Sequence, residues 1–181
     1  MTKNKKGFTI IEVVLVLAIA GLIFLMVFIA LPALQRSQRN TQRQDDLARV
    51  LTQVNSFQSN NNGKVPFGVE TDISLGTFVT RYIDKSAQVS TDVTGKKTGT
   101  ASFKACGAEF KDPQGDCYKI SKMGAISATT DVSSKVNEKN FHGYTNASCG
   151  DEGVATKGSG VRDVAVFMKL EGGSIACNDN H

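Results

Sequence analysis

Glu12 is the only acidic residue before Asp45, and it stands at the head of an apolar run: Val13 to Leu34 is 22 residues without a charge. An ionised carboxylate beside so much apolar surface costs several kcal/mol unless it has a partner. A cut between Gly7 and Phe8 would create one. The new α-amino group of Phe8 would lie one helical turn from Glu12 and could pair with it, within one chain or between neighbouring chains. In an array of parallel helices such pairing fixes the axial offset, because a mismatch leaves both charges unpaired in an apolar core.

The second set of chemistry-bearing residues is Cys106, Cys117, Cys149 and Cys177, all in the second half of the chain. Their separations contain no C-x2-C pair, so the spacing gives no zinc site. An even count downstream of an apolar N-terminal segment points to disulfides in an oxidising compartment. Cys106 with Cys117 and Cys149 with Cys177 is the preferred pairing; the crossed pairings stay open. Each bridge stabilises by about 2 to 4 kcal/mol.

Catalysis has no footing in the sequence. His142 and His181 have no cysteine nucleophile at a known spacing, no G-x-S-x-G is present, and Gly172-Gly173 precedes no phosphate-binding helix. No catalytic residue, cofactor or metal is expected. Asn178-Asp179-Asn180 offers oxygen ligands of the kind calcium takes, but reads as solvated tail. Net charge argues little for nucleic acid: three of the 21 Lys and Arg are Lys3, Lys5 and Lys6, and the remaining 18 face 17 Asp and Glu. Lys96, Lys97, Lys135, Lys139 and Lys157 lack the interleaved aromatic residues that a single-strand surface favours. Nucleic-acid binding is unsupported.

The elements that position these residues follow from periodicity. Val13 to Leu34 would make about 33 Å of helix at ~1.5 Å per residue, enough to cross a bilayer. The lysines before it keep the short N-terminus in the cytoplasm and send the rest outside, although Arg36, Arg39 and Arg43 oppose that orientation. Two other readings compete: a secretory signal peptide cut after Ala18-Ile19-Ala20, and an uncleaved anchor. Both leave Glu12 without a role, and the first leaves Gly21 to Leu34 as an apolar terminus on a secreted protein.

The helix then turns amphipathic. Leu47, Val50, Leu51, Val54 and Phe57 share one face, with Gln42, Arg43, Asp45, Arg49 and Gln53 mostly away from it. One helix from about Thr9 to Ser59 is expected, ended by Asn60-Asn61-Asn62-Gly63 with Pro66 beyond. Pro32 removes a backbone donor and, with Gly21, marks where the helix is weakest. Further on, a short helix is expected around Gly76 to Asp84, a polar surface excursion over Lys85 to Thr100, and strands at Cys117 to Ser121 and Asp163 to Leu170. A turn at Glu171-Gly172-Gly173 leads into Ser174 to Cys177 as a hairpin. The fold class is α+β, a long helix packed on a small antiparallel sheet. The chain divides into a leader (1–7), a membrane or filament-core half-helix (8–34), an amphipathic half-helix (35–62) and a β-rich head (63–181).

Lys5-Lys6-Gly7-Phe8-Thr9-Ile10-Ile11-Glu12, leading into Val13-Val14-Leu15-Val16, closely resembles the class III signal of type IV pilins and pseudopilins. The resemblance covers the first third of the chain. It implies that a prepilin peptidase cuts after Gly7 and methylates the amine of Phe8, that Glu12 acts in assembly, and that Gly21 through Pro32 can lose helical order in the filament. It also implies a homopolymeric filament whose subunits are drawn from the membrane by a platform protein and a cytoplasmic ATPase. A major pilin is the favoured reading, since the subunit capping the tip often lacks the Glu. A minor pilin or adhesin, a DNA-uptake pilin and a secretion pseudopilin are the alternatives.

Overall fold

A computed structural model describes residues 7–67, 72–90, 102–105 and 110–180. The chain forms two compact units, Met1–Gln38 and Arg39–His181. Helix α1, Ile10–Asn60, runs through both.

In the first unit α1 carries little but apolar side chains, and most of them are exposed, Ile10 at 84% and Phe28 at 74%. By length and composition this helix can cross a membrane. Helical structure continues without interruption through Gly21 and Pro32.

In the second unit α1 buries Leu47, Val50, Val54 and Phe57. Arg43 is buried on the same face, contrary to the expectation that it points away. Position 43 lies one turn before Leu47, and its guanidinium finds charged partners there, described below. The helix ends as the Asn-rich stretch predicts. Asn62 and Gly63 take left-handed backbone angles, φ 57° and 77°, and the Gly63 N–H donates to the Gln58 carbonyl at 2.8 Å. A Cβ at Gly63 would also come within 2.6 Å of the Arg162 guanidinium carbon. Asp72–Phe78 forms α2, continued by one wide turn at Val79–Ile83, so this helix starts earlier than expected.

Among the described residues nine strands follow: β1 Gln88–Ser90, β2 Ser102–Ala105, β3 Tyr118–Ala125, β4 Thr130–Asp131, β5 Asn140–Thr145, β6 Ala147–Cys149, β7 Val154–Lys157, β8 Val164–Lys169 and β9 Ile175–Asp179. Six of them form one sheet in the order β1-β2-β3-β5-β8-β9. All pairs are antiparallel except β3 with β5, so the sheet is mixed, not purely antiparallel. The segment between Ala125 and Asn140 is long enough for the crossover that a parallel pair requires. β4, β7 and β6 make a second, three-stranded sheet that the sequence did not reveal.

Three layers result in this unit. One face of the six-stranded sheet presents Tyr118, Ile120, Phe141, Val164, Val166 and Met168 to a core shared with Leu47, Val50, Val54 and Phe57 of α1. Its other face packs Tyr144, Ala165 and Phe167 against Ile126, Val132, Val136, Ala147 and Ala155. A sheet covered on both sides explains why β5 was overlooked. Its residues Asn-Phe-His-Gly-Tyr-Thr are all buried and show no alternation. Gly143 at its centre is required by packing, because a Cβ there would meet the Phe67 ring at 2.5 Å. The surface excursion expected over Lys85 to Thr100 includes β1, and its residues 91–100 lie outside the described residues; β6 and β7 lie between Thr145 and Gly160.

Candidate functional site

Gly7 and Phe8 precede the helix in exposed, non-helical chain, so the bond between them is presented free of secondary structure. Thr9 and Glu12 then close the first turn reciprocally. The Thr9 N–H and hydroxyl donate to Glu12 Oε2 at 2.9 and 2.8 Å, and the Glu12 N–H reaches Thr9 Oγ1 at 3.4 Å. This is a capping box, Thr-x-x-Glu, which satisfies helix N–H groups that have no intrahelical acceptor. The signature stands in the sequence as Thr9-Ile10-Ile11-Glu12, but reading the carboxylate only as a partner for an amine passes over it. Glu12 therefore has a partner even in the uncut chain.

The remaining predicted residues lie elsewhere. Gly21 and Pro32 sit within α1. Cys149 and Cys177 are joined, tying β6 of the small sheet to β9 of the large one. Cys117 is disulfide-bonded, and Cys106 lies outside the described residues. His142 is buried on β5 with neither ring nitrogen hydrogen-bonded among the described residues, and burial pushes its pKa down to about 4. His181, Lys96 and Lys97 fall outside the described residues. Lys139 pairs with Asp116.

Asn178-Asp179-Asn180 is not solvated tail. Asp179 accepts the Cys149 N–H at 2.7 Å, and Asn180 accepts the Val164 N–H at 2.7 Å while donating to Gln58. These side chains hold β9 in place. Among the described residues no three His, Cys, Asp or Glu side chains converge as metal ligands.

Sequence reasoning missed a polar cluster at the start of the second unit. Glu171, in the β8–β9 turn, receives Arg39 through two parallel hydrogen bonds of 2.7 Å. Asn40 pairs with its backbone as a strand would: Nδ2 donates to the Glu171 carbonyl at 3.0 Å, and the Glu171 N–H donates to Oδ1 at 2.9 Å. The buried Arg43 adds Nη1 at 3.1 Å from Glu171 Oε1, and Gln114 Nε2 donates to the same oxygen at 2.9 Å. The Arg39 hydrogen bonds hold the Glu171 carboxyl down at about 2, against partial desolvation, with Gln114 and the charges of both arginines helping. One turn on, Tyr118 Oη donates to Asp46 Oδ2 at 2.8 Å and ties β3 to α1. The available signal was spacing: Arg39 and Arg43 are one turn apart, on the side that leads to Leu47.

The prokaryotic N-terminal methylation motif matches residues 2–28. With the apolar helix and the α+β arrangement beyond it, the match supports the resemblance of the N-terminal segment to type IV prepilins. Major pilin, minor pilin and pseudopilin carry this signal alike. No curated protein and no solved structure matches the chain.

Proposed function

We propose that the protein is the major structural subunit of a type IV pilus. A prepilin peptidase removes residues 1–7 and methylates the Phe8 amine; the apolar half of α1 then leaves the bilayer and packs with copies of itself. The reading is carried by the exposed apolar helix of the first unit, whose sole acidic residue stands at its first turn. Such a surface requires lipid or like helices around it. The methylation motif supports the processing step. Cleavage places the Phe8 amine beside the Thr9–Glu12 box, and Glu12 then pairs with that amine or with a neighbour's.

The role is structural and not enzymatic. The class III signal and the helix fit a membrane-anchored subunit before assembly. The extracellular filament, the platform protein and the ATPase belong to this proposal, as does loss of helical order between Gly21 and Pro32 on assembly. Intact mass and N-terminal sequencing of sheared extracellular material test it. An abundant chain starting at N-methylated Phe8 is the expected result. A chain starting at Gly21, or near absence from the sheared fraction, rejects it.

A further inference from the structure

Alternate residues of β5 face the three-stranded sheet, and two of them carry polar groups. His142 stands opposite Phe167 of β8, whose ring meets Tyr144 edge-on in the core between the two sheets. His142 is 4% exposed and Tyr144 3%, yet neither imidazole nitrogen nor the Tyr144 hydroxyl has a hydrogen-bond partner among the described residues. An orphaned buried polar group costs stability, and a buried cation with no acceptor costs far more.

No carboxylate stands ready to take such a charge. On the same face of the large sheet the ionisable groups are Tyr144 on β5, Lys119 on β3, Lys169 on β8 and Asp179 on β9, and Asp179 is engaged by the Cys149 N–H. From the layer that covers this face, Asp131 accepts from Ser133 and Glu152 accepts the Ile175 N–H, while Lys135, Asp151 and Lys157 are exposed. Glu138 turns to Arg43, and Lys139 to Asp116. Burial alone holds the His142 pKa down, to about 4.

The covering layer is also a separate body of packing. Its apolar residues Ile126, Val132, Val136, Ala147 and Ala155 meet the face that carries His142, and among the described residues none of them enters the core around α1. The Cys149–Cys177 bond ties β6 to β9, so the layer stays attached when its packing is lost.

We infer that His142 is an acid-sensitive pin: protonation of its ring drives the three-stranded sheet and residues 126–136 off the six-stranded sheet, while the core around α1 stays closed and the disulfide keeps the layer tethered. Opening lets water solvate the imidazolium, so the open form takes up its proton at the ordinary value of 6.5 and the closed form at about 4. By linkage the open fraction is about twentyfold larger at pH 5 than at pH 7. The pin does not depend on the filament reading above.

Hydrogen exchange by mass spectrometry on the full chain in detergent micelles tests it, near pH 7 and near pH 5, with rates corrected for the intrinsic pH dependence of exchange. The unmodified chain is compared with His142→Phe and His142→Gln. A small sheet stripped of the face it packs on does not hold its ladder, so opening frees the amides of β4, β6 and β7. In the unmodified chain their protection is expected to fall about twentyfold between the two conditions, and in both variants to stay level. At each pH it should also lie below the protection of residues 50–57 of α1. The same fall in the variants, or none in the unmodified chain, overturns the proposal. Protection equal to that of residues 50–57 overturns it too, because the head then opens only as a whole. Should neither variant fold, the His142 ring titration followed by NMR in the unmodified chain decides: a fall that tracks ring protonation supports the pin, and a fall with the ring still neutral overturns it.

Discussion

Glu12 has two possible duties that one substitution separates. Gln can replace Glu in a capping box, but it carries no charge to pair with an amine. Glu12→Gln is therefore expected to keep the first turn and membrane insertion while sharply reducing filament yield, and Glu12→Ala to lose both the box and the filaments. Normal yield from Glu12→Gln, measured in the sheared fraction, would leave capping as the whole role. His142 gives a second prediction at this scale. Its folded pKa, about 4, lies below the ordinary value of 6.5, so the unfolded chain takes up the proton first. Stability should fall as pH drops from about 6.5 to about 4 and gain no further loss from this group below that. Glu171 acts lower, its contribution fading from about 4.5 down to about 2. His142→Phe should flatten the upper limb of a melting-temperature profile and leave the lower one; an unaltered profile would show that His142 does not set it.

Among the elements, α1 and β5 each pack tightly against their own neighbours. Phe57 is buried against Phe78 and Tyr82 in edge-on contacts, and Phe57→Ala should cost about 3 to 5 kcal/mol in chemical denaturation. Gly143→Ala forces a methyl into the Phe67 ring and should cost about 1 to 3 kcal/mol. Phe67→Leu in the same chain should return part of that, because it relieves the contact; no recovery would place the strain elsewhere. How much of these elements can be read from sequence varies with their surroundings. α1 is legible from end to end because its first half is an unbroken apolar run and its second half repeats an apolar face every three or four residues. β8 is legible because its run of apolar strand-forming residues, Val164 to Met168, is closed by turn signals at Glu171-Gly172-Gly173. β5, the parallel pairing and the small sheet are not, because strands covered on both sides lose alternation, and pairing partners far apart in sequence leave no local trace.

For the molecule as a whole, the Cys149–Cys177 bond closes a loop of 28 residues and joins the two sheets. Chain-entropy arguments give it about 3 to 4 kcal/mol. Cys149→Ser with Cys177→Ser should lower the melting temperature of the head while leaving insertion of α1 untouched. An unshifted melting curve would mean that the strand contacts of Asp179 and Asn180 suffice to hold β9.

What the sequence determined by itself is the N-terminal third: the Gly7-Phe8 pair ahead of the helix, the lone carboxylate, the helix long enough to span a membrane, and the amphipathic face that follows. These are local or periodic features, fixed by residue type and spacing along one element. Only the tertiary structure decided that Arg43 is buried, that Arg39 and Asn40 grip Glu171 across 132 and 131 residues of chain, and that the terminal asparagines bind strands and not solvent. Those contacts depend on where the β8–β9 turn comes to lie against α1 within the head, and no pattern along the chain encodes that meeting.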